Sequence, residues 1–283
     1  MKIFVPYHIS GLWVPIKRGS FVDTGSLGVG IVLESGVELA RCPTSCVELD
    51  PTSRIAASIY GVRSDVLEGY HLREAHGLGE GYGASAARTL AVAVALEIDR
   101  GLGSLCRAGE AAHIAEVAMG TGLGDVIAEF YGGGLVVRTE PGAPCRGRVD
   151  AYPIRRYCIV TVVLRRWSTV DMLRSLWNRM TVAGRRLYEE FLSRPGIDTF
   201  LELAHRYSRE LGFLTKELDD ALRNALGRYL ARGDVLGYFV KKALLVIVVE
   251  PSTCSEIASV LERCLGFKPS IDWVGYRGVV VEL

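Results

Sequence analysis

Three stretches of this chain have residue types and spacing that could do chemistry. The first is Gly77-Leu78-Gly79-Glu80-Gly81-Tyr82-Gly83-Ala84-Ser85-Ala86-Ala87, four alternating glycines that run into the small-apolar segment Arg88–Ile98. Glycine lacks Cβ, so the backbone can bend sharply and approach a ligand closely. The segment behind it is a good helix former, apolar on most faces, and reads as a buried helix. A glycine loop feeding a helix N-terminus offers unpaired N–H groups and the positive end of the helix dipole to an anion, which is the chemistry of phosphate binding. Alone the loop is a weak signal, since a structural glycine turn explains it equally well. It lacks the Gly-Lys-Ser/Thr ending of a Walker A loop. A Rossmann loop is poorly matched too, because His71–His76 is a poor strand and Asp99 falls at the end of a helix.

The second stretch is Gly120-Thr121-Gly122-Leu123-Gly124-Asp125-Val126, another glycine-rich turn entering a helix. An acid there is favoured by the dipole, so Asp125 reads either as a helix cap or as a catalytic carboxylate. Spacing alone favours the cap. The third is the helix expected over Ala108–Ala118, where Glu110, His113 and Glu116 recur on one face. They form either a solvated polar stripe or a face from which Glu116 reaches the glycine loop.

Composition narrows what these residues can serve. The chain has 283 residues, a formal net charge of +1 and 49% hydrophobic residues, an ordinary globular balance with room for two modest domains. A near-neutral chain gives no support to nucleic acid or an anionic membrane as the main partner. The longest apolar runs, Thr89–Leu96 and Ala243–Val249, are too short to span a bilayer. The stretch Met1–Pro6 lacks the core of a signal peptide, so a cytoplasmic location is expected. Seven cysteines without CxxC spacing argue against a zinc site or a secreted disulfide framework. Arginine far outnumbers lysine, a bias compatible with a thermophilic source. In such a source a disulfide becomes possible, with Cys42 and Cys46 or Cys254 and Cys264 as candidate pairs.

The elements that must position these groups follow from pattern. Lys2–Val5 reads as a strand leading into a polar and aromatic loop, Pro6–Trp13. Thr24–Gly30 runs into a strand at Ile31–Leu33, and Gly36 turns it into a hairpin with Val37–Ala40. Val47–Leu49 and Ile55–Tyr60 read as strands and Asp65–Tyr70 as a short helix. Glycines 132–134 precede a strand, Leu135–Arg138. After about residue 150 the texture changes. Strands are expected at Tyr157–Leu164, Val240–Val248 and Gly278–Leu283. Helices are expected at Thr169–Arg179, Val182–Leu192, Thr199–Leu211, Leu214–Ala231 and Cys254–Leu265. Strands interleaved with amphipathic helices predict an α+β sandwich with a ferredoxin-like core.

Gly81-Tyr82-Gly83-Ala84-Ser85-Ala86-Ala87 resembles the second motif of the GHMP kinases, in which such a loop wraps the ATP phosphates. Three more segments are similar to the archaeal pantoate kinase branch of that superfamily. They are Val5-Pro6-Tyr7-His8-Ile9-Ser10-Gly11-Leu12-Trp13, Thr24-Gly25-Ser26-Leu27-Gly28-Val29-Gly30, and the long run His113–Val117, Thr121–Val126, Gly132–Gly134, Arg138 and Pro141-Gly142. The match is good over the N-terminal half and mainly one of element pattern beyond it.

The resemblance implies the GHMP kinase fold, with an N-terminal ribosomal-S5-like ATP-binding domain at 1–150 and a C-terminal ferredoxin-like domain at 151–283. It implies ATP and Mg²⁺ as cofactors. Gly77, Gly79, Gly81, Gly83, Ala84, Ser85 and Ala86 would meet the nucleotide, with Ser85 and Glu116 sharing the metal. Asp125 would act as general base. Arg138, Ser168, Thr169, His8 and Ser26 would face the substrate. Phosphoryl transfer needs positioning and charge neutralisation more than covalent chemistry, which suits this set. Tyr7 stands where glycine is usual, Leu27 where arginine is usual, and Ala84 where serine is. The superfamily's third motif, a glycine-rich loop, has its best counterpart in Val235–Leu245, which is nearly stripped of glycine.

The implied activity is phosphorylation of the C4 hydroxyl of (R)-pantoate toward coenzyme A; a homodimer, the commonest soluble assembly, is the default expectation. Two alternatives stay open. One is a kinase of the same superfamily acting on homoserine or mevalonate. The other is a non-catalytic nucleotide or metabolite sensor, against which the retained Ser85, Glu116 and Asp125 argue.

Overall fold

The first strand does not end at Val5. In the computed structural model, which describes residues 1–165 and 169–283, strand β1 spans Lys2–Ile16. It pairs antiparallel along its whole length with β2, Gly25–Glu48. The polar stretch after Pro6 therefore lies in a strand where a loop was expected. Val5, Tyr7, Ile9, Leu12 and Val14 are all buried, and that burial outweighs the turn chemistry of Pro6 and Gly11. The register shifts between Pro6 and His8 and between Ser10 and Leu12. Such bulges re-aim side chains along a strand, and these two bracket His8 and Ser10.

The first sheet runs β10-β1-β2-β4-β5, with β3 also on β2. Here β3 is Val66–Glu74, β4 Leu135–Glu140, β5 Arg148–Tyr152 and β10 Val280–Glu282. The segment expected as a helix at Asp65–Tyr70 is thus part of β3, which buries Leu67 and Tyr70 against the core. The second sheet has the order β7-β8-β6-β9, formed by Val235–Lys241, Leu244–Val249, Cys158–Val163 and Ser270–Trp273. Counted from β6, the order is second, third, first, fourth, the ferredoxin-like arrangement that the alternation of elements predicted. The strand expected over 240–248 is a tight hairpin, β7 to β8. A bridge from Leu33 to Val274 ties the two sheets together.

Helix α1, Pro51–Ile59, occupies a segment expected as a strand. Its start signals outweigh the β-branched content: Asp50 accepts from the N–H groups of Thr52 and Ser53, and Pro51 opens the helix. Helix α2, Ala84–Asp99, is buried over nearly all of its length, as its composition predicted. Helix α3, Leu105–Met119, packs on α1 and α2, and α4, Asp125–Tyr131, lies against β1. Helix α5 is continuous from Thr169 to Ser193, where two helices were expected. Gly184 does not break it; a Cβ there would lie 2.3 Å from the carbonyl oxygen of Trp13, so the glycine lets helix and strand touch. Helices α6, Ile197–Glu210, α7, Lys216–Arg232, and α8, Cys254–Leu265, follow as expected.

The cysteine pairs differ from those expected. Cys106 joins Cys145, and Cys158 on β6 joins Cys254 on α8. Cys254 and Cys264 are ten residues apart on one helix, about 15 Å along its axis, beyond the reach of a disulfide. Cys42 and Cys46 lie along β2 and are free. Among the described residues no helix is long and apolar enough to cross a membrane.

Candidate active site

The glycine loop ends at the N-terminus of α2. Gly83 is the N-cap residue, with a left-handed φ of 83°, and no side chain caps the helix. The first N–H groups of α2 are left for a ligand. A Cβ at Gly83 would sit 2.3 Å from Glu129 Oε1 and 3.1 Å from the His8 carbonyl oxygen, so conformation and space both require glycine. Tyr7 pins the base of the loop: its hydroxyl donates to the His76 carbonyl at 3.1 Å and accepts from the His76 N–H at 3.2 Å. The His76 ring stacks on Tyr82 with centroids 3.6 Å apart. Tyr7 therefore gives the loop a support that glycine at this position could not.

Ser85 Oγ donates to Glu116 Oε1 across α2 and α3. Glu116 is buried, and burial pushes its carboxyl up to about 7 despite the Ser85 bond. His113, one turn earlier, is also buried, with Nε2 2.7 Å from the Thr24 carbonyl oxygen. Only Glu110 behaves as a surface residue of that face, pairing with Arg146. The solvated-stripe reading therefore fails for His113 and Glu116. A cavity between α2 and α3 is walled by Gly79, Gly81, Gly83–Ala86, Glu116, Thr121, Asp125, Lys241 and Lys242. Gly77 lies outside it, its N–H donating to Glu80 Oε2 at 3.1 Å.

A second cavity adjoins the first. Its walls include Ser10, Trp13, Ser26, Thr121–Asp125, Arg138, Met172 and Leu173, with Lys241 and Lys242 shared. Arg138 on β4 is 1% exposed. Its NH1 lies 3.4 Å from His8 Nε2 and its NH2 donates to Ser10 Oγ at 3.3 Å, while its buried Nε has no hydrogen-bond partner. Neighbouring glycines make the room. A Cβ at Gly28 would be 2.4 Å from Arg138 NH2, one at Gly124 2.6 Å from Arg138 Nε, and one at Gly30 2.3 Å from His8 Nε2. The Thr24–Gly30 motif is thus a strand face cut away for side chains.

Asp125 is the first residue of α4 behind the N-cap Gly124, and its side chain does not cap the helix. It reaches His8 Nδ1 at 2.8 Å and Lys241 Nζ at 3.4 and 3.5 Å. Burial alone would raise its carboxyl, but Lys241 and His8 outweigh that and hold it well below the usual range. Burial lowers His8 to about 4 against the pull of Asp125, so the imidazole is neutral near pH 7. Arg138 can only donate. His8 Nε2 is therefore the bare nitrogen and Nδ1–H donates to Asp125. The result is a relay of donors from Arg138 through His8 to Asp125. Glu129, one turn along α4, is fully buried with neither carboxyl oxygen hydrogen-bonded. Burial, then Asp125 and Glu116, push it well above the usual carboxyl range.

The structure thus brings together Gly79, Gly81, Gly83, Ala84, Ser85, Ala86, Glu116 and Asp125 on one side, and His8, Ser26 and Arg138 on the other. Ser168 and the side chain of Thr169 lie outside the described residues. Leu27 sits in β2 opposite Val14, away from both cavity walls. Sequence reasoning missed Lys241, Lys242 and Glu129. Two adjacent lysines inside the apolar run Phe239–Leu245 were a legible signal, because lysine is rarely buried without a task.

No family model matches the chain. Pantoate kinase from Thermococcus kodakarensis is 32% identical over 241 residues, spanning 79% of this chain and 80% of that one. Pantoate kinase from Methanocaldococcus jannaschii is 28% identical over 225 residues, spanning 76% and 82%. Among solved structures, a phosphotransferase related to the CoA biosynthesis pathway is 26% identical, with a TM-score of 0.80 over 99% of this chain and 98% of that one. Mevalonate kinase from L. major, 17% identical, has a TM-score of 0.62 over 98% and 97%. That last likeness shows the shared GHMP kinase fold.

Proposed function

The chain belongs to the pantoate kinase family, and from that premise we propose that it transfers the γ-phosphoryl group of ATP to the C4 hydroxyl of (R)-pantoate, a step toward coenzyme A. The observation that carries the substrate is Arg138. A buried guanidinium with only neutral hydrogen-bond partners and an unpartnered Nε is suited to a carboxylate, which the planar fork binds bidentately. Pantoate supplies that carboxylate, and its geminal methyl groups match the apolar wall of Trp13, Met172 and Leu173. Homoserine has an ammonium group and no methyls.

The two cavities meet at Asp125. Pantoate bound by Arg138 turns its far hydroxyl toward this carboxylate, and ATP bound at the α2 N-terminus brings its γ-phosphate to the same place. Asp125, held ionised by Lys241 and His8, accepts the hydrogen bond of the attacking hydroxyl and orients it. In a loose phosphoryl-transfer transition state the hydroxyl keeps its proton until late, so a strongly ionised aspartate still serves as orienter and final acceptor. Such a base contributes roughly 10²–10⁴-fold.

Mg²⁺ fits Ser85 and Glu116. Their oxygens are hard ligands, and burial pushes the Glu116 carboxyl up to about 7, a cost that a bound cation would offset. Among the described residues no cluster of three His, Cys, Asp or Glu could hold a metal, so water and phosphate oxygens would complete the shell, as Mg²⁺ prefers. When bound, the ion neutralises phosphate charge. We also take the enzyme to be a cytoplasmic homodimer, the commonest soluble assembly.

ADP release from ATP and Mg²⁺, measured against pantoate, homoserine, mevalonate and shikimate, tests the reading. Release with pantoate alone, reduced roughly 10²–10⁴-fold in Asp125→Ala, is expected. Release with another acceptor and none with pantoate would contradict it.

A further inference from the structure

The residues common to both cavities are Thr121, Asp125, Lys241 and Lys242. They wall the boundary a phosphoryl group must cross between nucleotide and acceptor. Two of the four are lysines at the tip of the β7–β8 hairpin, in a chain that has only six lysines. Lys241 is the last residue of β7, 4% exposed, and its Nζ reaches both Asp125 oxygens and the His8 carbonyl oxygen at 3.4–3.5 Å. Lys242 follows in the two-residue connection to Leu244 with a φ of 60°. That left-handed conformation favours glycine or asparagine, and a lysine there is strained. Glycine would make the turn without strain, yet the chain places a cation there.

We propose that this hairpin tip is the phosphoryl clamp of the site. Lys242 is a catalytic residue that meets the equatorial oxygens of the phosphoryl group in transit. Lys241 is a positioning residue that holds Asp125 toward the acceptor hydroxyl. The clamp rests on the proposed kinase activity and specifies how its charge is neutralised. In the step itself, the bond from the acceptor oxygen to the γ-phosphorus forms as the bond from that phosphorus to the β,γ-bridging oxygen breaks. The electron pair leaves with ADP and the hydroxyl proton passes to Asp125. Lys242 forms no covalent bond. Its ammonium opposes the charge that spreads over the transferred group, where fixed donors act most strongly. The backbone N–H groups of a glycine-rich loop would supply partial charges at this position; the hairpin supplies whole ones.

The test is steady-state kinetics on Lys242→Ala, Lys242→Arg and Lys242→Gly beside the wild type, on whichever acceptor of the four-alcohol panel the wild type uses. Lys242→Ala should lose about 10²–10³-fold in kcat, the usual cost of removing one transition-state donor, with KM for ATP and acceptor within about 3-fold. Lys242→Arg should recover at least tenfold over Lys242→Ala. Lys242→Gly should be as slow as Lys242→Ala yet melt about 2 °C higher than the wild type, because the turn strain is gone. A kcat for Lys242→Ala within 3-fold of wild type would overturn the clamp, as would a loss confined to KM or an arginine variant no faster than alanine. Turnover of an acceptor other than pantoate would sink the substrate assignment and leave the clamp test intact. Turnover of none would sink both.

Discussion

Glycine does two different jobs on the two sides of this site. On the side proposed for the nucleotide, Gly83 takes a left-handed conformation that lets the loop fold onto the α2 N-terminus. On the side proposed for the acceptor, Gly28, Gly30 and Gly124 are absent side chains, hollows into which Arg138 and His8 are fitted. One side presents backbone N–H groups to a ligand. The other uses bare backbone to bury a guanidinium and an imidazole that present charge and hydrogen bonds instead. Both stretches look alike in sequence, as glycine-rich motifs. The difference teaches that a glycine motif marks close approach without saying whether the approaching group is ligand or protein.

Substitutions at the seam and on either side separate the two. The largest effect is expected at the seam, where Asp125→Asn should cut kcat by roughly 10²–10⁴-fold while calorimetry still detects binding of both ATP and pantoate. Next comes Gly124→Ala. Its Cβ would fall 2.6 Å from Arg138 Nε and 2.4 Å from Ser26 Oγ, displacing the guanidinium. The KM for pantoate should rise on the order of 10–10²-fold, since a misplacement of about 1 Å has that scale of cost, with the KM for ATP unchanged. Gly83→Ala should reverse the pattern, weakening ATP about tenfold or more. Its left-handed φ adds a stability loss of about 1–3 kcal/mol, read as a lower Tm. If both glycine variants raised the same KM, the division of labour would be wrong.

A smaller effect belongs to Glu116. Its folded carboxyl titrates near 7 against an ordinary value of 4.5, so the folded protein holds the proton more tightly. The sign follows from linkage: folding is favoured least above pH 7, and that cost disappears as pH falls through 7 toward 4.5. Glu116→Gln should therefore melt above wild type by a few degrees at pH 8, with the gap shrinking toward pH 5. Measured with Mg²⁺ and a non-hydrolysable ATP analogue, the order should reverse, because the variant has lost a ligand.

Legibility in the sequence tracked how local each signal was. The α2 helix and its glycine loop could be read because their residues are contiguous and uniformly small. The ferredoxin-like half was readable from the alternation of elements. The long β1 was not, since Pro6, Ser10 and Gly11 speak for a loop until β2 is paired beside them. Spacing alone made Asp125 a cap and the family resemblance made it a base; in the fold Gly124 holds the cap position while His8 and Lys241 claim the carboxylate. The hairpin lysines stood out as charges inside an apolar run, but what they meet could not be read, because Lys241 lies 116 residues from its partner, Asp125. Spacing along the chain carries no trace of such a contact.

The most direct test of the account is discrimination by charge at the acceptor side. The ratio of kcat/KM for pantoate over its neutral carboxamide should be measured in wild type and in Arg138→Gln. The wild type should prefer pantoate by roughly 10²-fold or more, as expected of a buried charged hydrogen bond of about 2–5 kcal/mol. That preference should collapse to within a few-fold in the variant, with the KM for ATP unmoved. A preference that survives Arg138→Gln would mean that another group holds the carboxylate, and would contradict the assignment of this cavity to pantoate.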